Sequence, residues 1–579
     1  EGGIFMVSAQ DPARPVMAGT GSLQPSVNQA LSRMADEQIL RRIRKHDHTV
    51  WKPDPADIVN RLGWLTSPEK MGALRQEMAN LADDLRNEGF THALLMGMGG
   101  SSLAPEVFRF TFGVKKGYLD LAVLDSTDPR VVGAFSELLD PLKTLYIVST
   151  KSGGTVETHS FFKYFYNKTM EIMGVAKAGR HFIAITDPGS RLEALGRELG
   201  FRKVFLNDPN IGGRYSALSC FGLVPAALVG VDLETLLDRA TAMAAPDREA
   251  GAHLGTIMGE LALAGRDKLT LILSPAVSHF GSWVEQLIAE STGKEGKGIL
   301  PVDGEAVLSP DDYANDRLFV YLRLKGDAAH DEQVRVLKEA GHPLVEIYLN
   351  DLYDIGGEFF RWEMATAVAA YRMGINPFDQ PNVESAKVSA RQILAAYQEA
   401  GRLPELVPTL SEGGISVYAD DTADSVETAL KRFLAPAQMD EGKTGLHPYI
   451  ALQAYLQPSP ETDEALAHLR TRLQTRFKSA TTVGYGPRFL HSTGQLHKGD
   501  GGHGLFIQFT DDLSTDIGIP DTPGEAGATM AFGTLMAAQA LGDRQALLDA
   551  GRKVIRFHLG RDINGGLKRL ARIVTEMND

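Results

Sequence analysis

Two loops in this sequence have the composition of an anion cradle. Gly97-Met98-Gly99-Gly100-Ser101-Ser102 follows an apolar run of strand length and opens a helical pattern. Glycines there let the backbone come close to a ligand, and the N–H groups of a helix start favour negative charge. A plain strand–helix turn accounts for this segment equally well on its own. The second loop, Ser149-Thr150-Lys151-Ser152-Gly153-Gly154-Thr155, also leaves an apolar run and leads through Glu157 into a helix. Its four hydroxyls, two glycines and one lysine suit a phosphate. Neither loop has the G-x-G-x-x-G or G-x-x-x-x-G-K spacing, which disfavours dinucleotides and nucleoside triphosphates and favours a small phosphate ester.

Four further segments carry side chains that could act on such an ester. In Gly212-Gly213-Arg214 a guanidinium follows two glycines. It can hold a phosphate or offset a developing oxyanion, though a surface arginine in a linker is the plainer reading of that segment alone. Gln286 and Glu290 are four apart and share a helix face. A glutamate there can serve as general base beside a cleft, or belong with Glu285 to a solvated acidic face. In Phe378-Asp379-Gln380-Pro381-Asn382, Asp379 is placed to cap a helix starting near Pro381, with Lys387 two turns inside it. Finally, His491, His497 and His503 recur at intervals of six in a Gly-rich stretch without cysteine. That spacing matches no usual zinc pattern, so no metal is expected and a catalytic or phosphate-facing loop is preferred.

These residues need elements to hold them. Apolar runs at 92–96, 121–125, 145–149, 182–186 and 204–206 alternate with helical patterns, the rhythm of a parallel sheet wound with helices. A second series at 269–273, 318–322 and 344–349 alternates with helices near 279–290, 357–373 and 382–401. The remainder is less regular, with a strand expected at 415–419 and helices at 424–434, 447–456 and 461–477. The reading is thus α/β, two tandem doubly wound parallel-sheet domains with a mostly helical C-terminal extension. Boundaries fall at 1–30 for a flexible Pro/Gly/Ser-rich leader, 31–210 for N-terminal helices with the first sheet, 211–401 for the second, and 402–579 for an α/β extension.

Composition narrows the function classes. At 579 residues, 43% hydrophobic and 23% charged, the chain is an ordinary globular one. No run approaches the roughly 20 apolar residues of a membrane helix. A net charge of −14 disfavours sequence-independent nucleic-acid binding. The single Cys220 can form no internal disulfide, which fits a reducing cytoplasm.

Taken together, the segments from 97 to 387 resemble the phosphoglucose isomerase family in order and spacing. NIGGRYS resembles its first signature, and FDQPNVESAK its second, with Asn382 where the family usually has glycine. GMGGSS and STKSGGTVET resemble the two sugar-phosphate loops of the sugar isomerase (SIS) fold, and QLIAESTGK the segment with the catalytic glutamate. With GPRFLHSTGQLHKG in its C-terminal part, the chain is most similar to the isomerase half of bacterial transaldolase–phosphoglucose isomerase fusions. The resemblance implies two SIS domains and the reversible conversion of glucose 6-phosphate to fructose 6-phosphate through a cis-enediolate. It implies no cofactor, a cytoplasmic homodimer, and a covalent transaldolase partner in a longer parent chain. Glu290 would move the proton, Arg214 stabilise the enediolate, and Lys387 with Gln380 assist ring opening. Gly100, Ser101, Thr150, Lys151, Ser152 and Thr155 would line the phosphate site, and Glu157, Gly213 and Gln286 the sugar site. One departure stands out: the family's ring-opening histidine, donated by a neighbouring subunit, has no counterpart at 301–324. His491, in an H-S-x-G-Q context, is assigned that role, the alternative being a structural loop residue with Lys387 working alone. Added action on mannose 6-phosphate, or a sugar-phosphate sensor on the same domains, remain open as alternatives.

Overall fold

The computed structural model describes residues 16–17, 19–438 and 447–577. Three parallel-dominated sheets succeed one another along the chain. The first is all parallel, in the spatial order Asp120–Leu124, His92–Met96, Thr144–Ser149, Phe182–Thr186, Lys203–Leu206. The inner strands Thr144–Ser149 and Phe182–Thr186 are buried along their whole length, which is why they read as continuous apolar runs. After His92–Met96 the chain adds a strand on one side, then crosses to the other. Ligands bind in the crevice such a reversal opens at the carboxyl ends of the strands, and both candidate anion loops leave from there.

The second sheet runs Leu344–Leu349, Arg317–Leu324, Lys268–Leu273, Leu300–Val302 in parallel, with Val16–Met17 added antiparallel at the edge. One continuous apolar core joins the two units. The Cys220–Val229 helix packs back on Leu103–Phe112 and Arg75–Asn87 of the first.

Two expectations are corrected. The proposed leader 1–30 is not featureless in its described part: Val16–Met17 pairs with the second sheet, and Gln24–Asp36 is a helix. Val27, Ala30 and Met34 are buried, an i, i+3, i+7 stripe hidden among prolines and serines. Residues 1–15 and 18 lie outside the described residues. The expected helix at 447–456 is instead the strand Tyr449–Tyr455. It sits inside a six-stranded sheet whose order is Leu410–Glu412, Ile415–Tyr418, Lys553–His558, Gly504–Thr510, Tyr449–Tyr455, Thr481–Tyr485. A short apolar run buried on both faces has no period that separates strand from helix. The C-terminal extension is therefore a third α/β unit, with more residues in helices than in strands but organised on a sheet.

Candidate active site

The Gly97–Ser102 loop leaves its strand into a short 3-10 turn, Gly99–Ser101, and then the Leu103–Phe112 helix. It packs directly on the Gly213–Tyr215 turn: a Cβ on Gly100 would lie 2.1 Å from the Gly213 carbonyl oxygen. Ser216 Oγ donates to both carbonyls, Gly100 O at 3.2 Å and Gly213 O at 2.6 Å. Backbone contact thus sets one anion loop against the turn that presents Arg214.

Arg214 is buried. Its Nη2 donates to Phe378 O (3.0 Å), Asp379 O (3.1 Å) and Gln380 Oε1 (3.2 Å), and its Nε lies 3.4 Å from Glu290 Oε2. Among the described residues its Nη1 has no hydrogen-bond partner, nor has Gln286 Oε1. Gln286 and Glu290 both lie buried in the Phe280–Thr292 helix, and Gln286 Nε2 donates to Glu290 Oε2 (3.3 Å) and to the His491 carbonyl (2.8 Å). A carboxylate, a guanidinium edge and a carboxamide oxygen therefore converge with hydrogen-bonding capacity still open, an arrangement suited to a polyhydroxylated ligand.

His491 approaches from the third unit of the same chain. Its Nε2 lies 3.0 Å from Glu157 Oε1, and Gln539 Nε2 donates to the same oxygen at 2.7 Å. Thr127 Oγ1 in turn donates to Gln539 Oε1 at 2.8 Å. Burial alone would raise the Glu157 carboxyl, but the His491 ring beside it outweighs this and holds it below its ordinary value. His497 and His503 do not join His491: His497 is buried against Phe506, and His503 lines a separate cleft with Asp267 and Lys268.

In the second anion loop Thr150 and Thr155 share a hydrogen bond (2.8 Å), and Ser152 Oγ accepts from Gly154 N (3.2 Å). Lys151 behaves otherwise than expected. Its amine is turned to the Asp187 carboxylate and to Pro209 O (2.8 Å). Lys387 is part-way in: it lines a small cleft of about 50 Å³ with Glu157, His491, Lys498 and Gln539, yet its side chain is 42% exposed and 3.5 Å from Glu384. Asp379 does not cap the Lys387 helix. It accepts from the buried Lys294, whose Nζ reaches Asp379 Oδ1 at 2.7 Å and Asp379 O at 2.6 Å. Lys294, Gln495 and Gln539 escape the sequence reading as site residues, although Lys294 and Gln495 stand in segments with a local signal.

A phosphoglucose isomerase family model matches residues 66–296. A glucose-6-phosphate isomerase of Rubrobacter xylanophilus is 28% identical over 414 residues, 61% of this chain and 91% of that protein. One from Thermus thermophilus is 29% identical, over 58% of this chain and 90% of its own length. Among solved structures, a hypothetical protein of Thermus thermophilus superposes with a TM-score of 0.57 at 25% identity, over 64% of this chain and 98% of that one. A Chlamydia trachomatis glucose-6-phosphate isomerase shares the fold at a TM-score of 0.55 and 17% identity, over 65% of this chain and 87% of its own. Over residues 66–296 the chain thus matches the phosphoglucose isomerase family, and the Rubrobacter xylanophilus and Thermus thermophilus glucose-6-phosphate isomerases align with 58–61% of it.

Proposed function

We propose that this chain interconverts D-glucose 6-phosphate and D-fructose 6-phosphate by proton transfer between C2 and C1. The observation that carries this reading is the buried Arg214–Glu290 pair, 3.4 Å apart, with Arg214 Nη1 and Gln286 Oε1 beside it left without partners among the described residues. Aldose–ketose isomerisation needs one base next to a carbonyl and one cation for the enediolate oxygen. A sensor needs neither, so the pair favours an enzyme.

The phosphate rests among Ser101, Thr150, Ser152 and Thr155 at the start of the Val156–Met173 helix, where helix N–H groups face the dianion. That anchor provides binding energy remote from the reacting carbons and positions C1 and C2. Lys387 and His491, the latter held by Glu157, open the pyranose ring by moving a proton between O5 and the anomeric hydroxyl. Glu290 takes the C2 proton of the open aldose, and the electron pair forms the cis-enediolate, whose oxygen faces Arg214. Transfer of the O2 hydroxyl proton to O1, with return of the proton from Glu290 to C1, gives the ketose, so atoms and charge balance without a redox partner. Gln286 and Gln380 contact sugar hydroxyls. Because Lys151 is paired with Asp187, its contribution is to the shape of the loop.

The test is formation of fructose 6-phosphate from glucose 6-phosphate by wild type and Glu290→Gln. Activity in the wild type that falls at least about 10³-fold in the variant, with substrate still bound, is the expected result. An active Glu290→Gln enzyme would remove Glu290 from the role of base.

A further inference from the structure

One side chain of the third unit fastens two segments of the site together. Gln495 is fully buried. Its Oε1 accepts from the backbone N–H groups of Asn382 (2.9 Å) and Val383 (3.2 Å), at the start of the Val383–Ala400 helix. Asn382, the residue before that helix, makes no side-chain cap of its own. Gln495 Nε2 donates to Gly293 O (2.9 Å) and Asn382 Oδ1 (2.8 Å). Gly293 ends the Phe280–Thr292 helix, and a Cβ there would lie 2.2 Å from Leu496 Cα, so the two backbones touch. A carboxamide has two N–H donors and one oxygen with two lone pairs. All four are matched, and the reversed amide would set donors against donors.

The Val383–Ala400 helix carries Lys387, and only Val383 and Ala386 of it are buried. Both lie in its first turn, so the cap and these two side chains together place the helix start. The Phe280–Thr292 helix carries Gln286 and Glu290. We infer that Gln495 is a positioning residue for the isomerisation, setting Lys387 relative to Glu290 and Arg214 by tying the start of one helix to the end of the other. The inference rests on the function proposed above.

Two variants test it. Gln495→Met is nearly isosteric and makes none of the four bonds. Gln495→Glu keeps an acceptor for the two N–H groups but sets its second oxygen against Gly293 O, and should fall between Met and wild type. In Gln495→Met we expect kcat to fall about 100-fold, the loss associated with an ångström of misplacement. KM should stay within about threefold, because the phosphate loops lie on other elements. In a Lys387→Ala background the same substitution should cost less than about threefold, since no amine remains to be placed. Equal losses in both backgrounds would overturn the proposal by showing a general structural effect. Amide exchange on the same proteins gives a readout independent of turnover: Asn382 and Val383 should exchange faster in Gln495→Met, and unchanged exchange would overturn the cap. A wild type that does not isomerise counts against the function, and amide exchange then still decides whether Gln495 holds the helix start.

Discussion

Gly100→Ala should damage catalysis through the backbone it presses on. The methyl would lie 2.1 Å from Gly213 O and 2.3 Å from its carbonyl carbon. Ordinary contact begins at 3.4 Å, so the two backbones must part by about 1.3 Å. Neither neighbour is a side chain that could rotate away. Gly213 immediately precedes Arg214, and Ser216 Oγ ties the Gly100 and Gly213 carbonyls together, so separation breaks that clamp and shifts the guanidinium from its 3.4 Å approach to Glu290. Overpacking of this kind costs about 1–3 kcal/mol of stability. A displacement near 1 Å at reacting groups lowers turnover about 100-fold, or about 2.7 kcal/mol of transition-state stabilisation. The control is Gly154→Ala in the other anion loop, where the nearest atom is Ser152 Oγ at 3.8 Å. It should leave thermal unfolding nearly unchanged, as substitutions that meet no crowding usually do. The assay is kcat/KM for both variants with thermal unfolding alongside. A folded Gly100→Ala protein with kcat/KM within about threefold of wild type would refute the argument that loop-to-turn contact sets the Arg214 geometry.

Two pH-dependent effects follow from buried groups. Burial, and then the Arg214 charge, push the Lys294 amine down to about 8 despite its Asp379 partner; kcat/KM should fall as pH rises through about 8, and Lys294→Arg, which stays charged, should move that limb upward in a pH–rate profile. Burial and then Asp303 push the Glu285 carboxyl up to about 8. The native state then holds a proton that the unfolded chain releases near 4.5, so this group's contribution to stability is present below about 4.5 and is lost as pH rises to about 8. Glu285→Gln should therefore lose less Tm than wild type between about pH 5.5 and 8.5, and parallel losses would count against it.

Legibility in the sequence tracks how local each signal is. The five strands of the first sheet and both anion loops stand out, because a buried parallel strand is an apolar run and a phosphate turn is a cluster of small polar residues. Leu300–Val302 and Val16–Met17 do not, being three and two residues long. In the third unit Tyr449–Tyr455 passes for helix, since YIALQAY offers no polar face to either period. Site residues divide the same way. Arg214, Gln286 and Glu290 stand in dense motifs and do converge. Gln539 lies in the helix segment MAAQALG, where nothing nearby marks it, and it matters only because the fold brings it to Glu157, 382 residues away in sequence. Asp379 looks like a helix cap because caps are local; its actual partner, Lys294, is 85 residues away. Lys151 looks like a phosphate ligand for its loop, but Asp187 lies close enough to take the amine.

The third unit bears on the site through its directional contacts. Arg488 reaches from it to Glu106 and Asp125, Asp511 to Arg130, Gln539 to Glu157, and the His491 carbonyl to Gln286. Buried charge contacts of this kind return little net stability, because desolvation offsets the attraction. An apolar seam of the same area would hold the unit as firmly and tolerate sliding. These bonds do not: moving the unit by one residue would unpair buried charges on both sides, at several kcal/mol each. A histidine 3.0 Å from Glu157 requires that single register. His491 meets that requirement within one chain. The reason for expecting a dimer, a histidine delivered by a neighbouring subunit, therefore does not apply to this contact, and oligomerisation would have to be selected by some other feature of the surface.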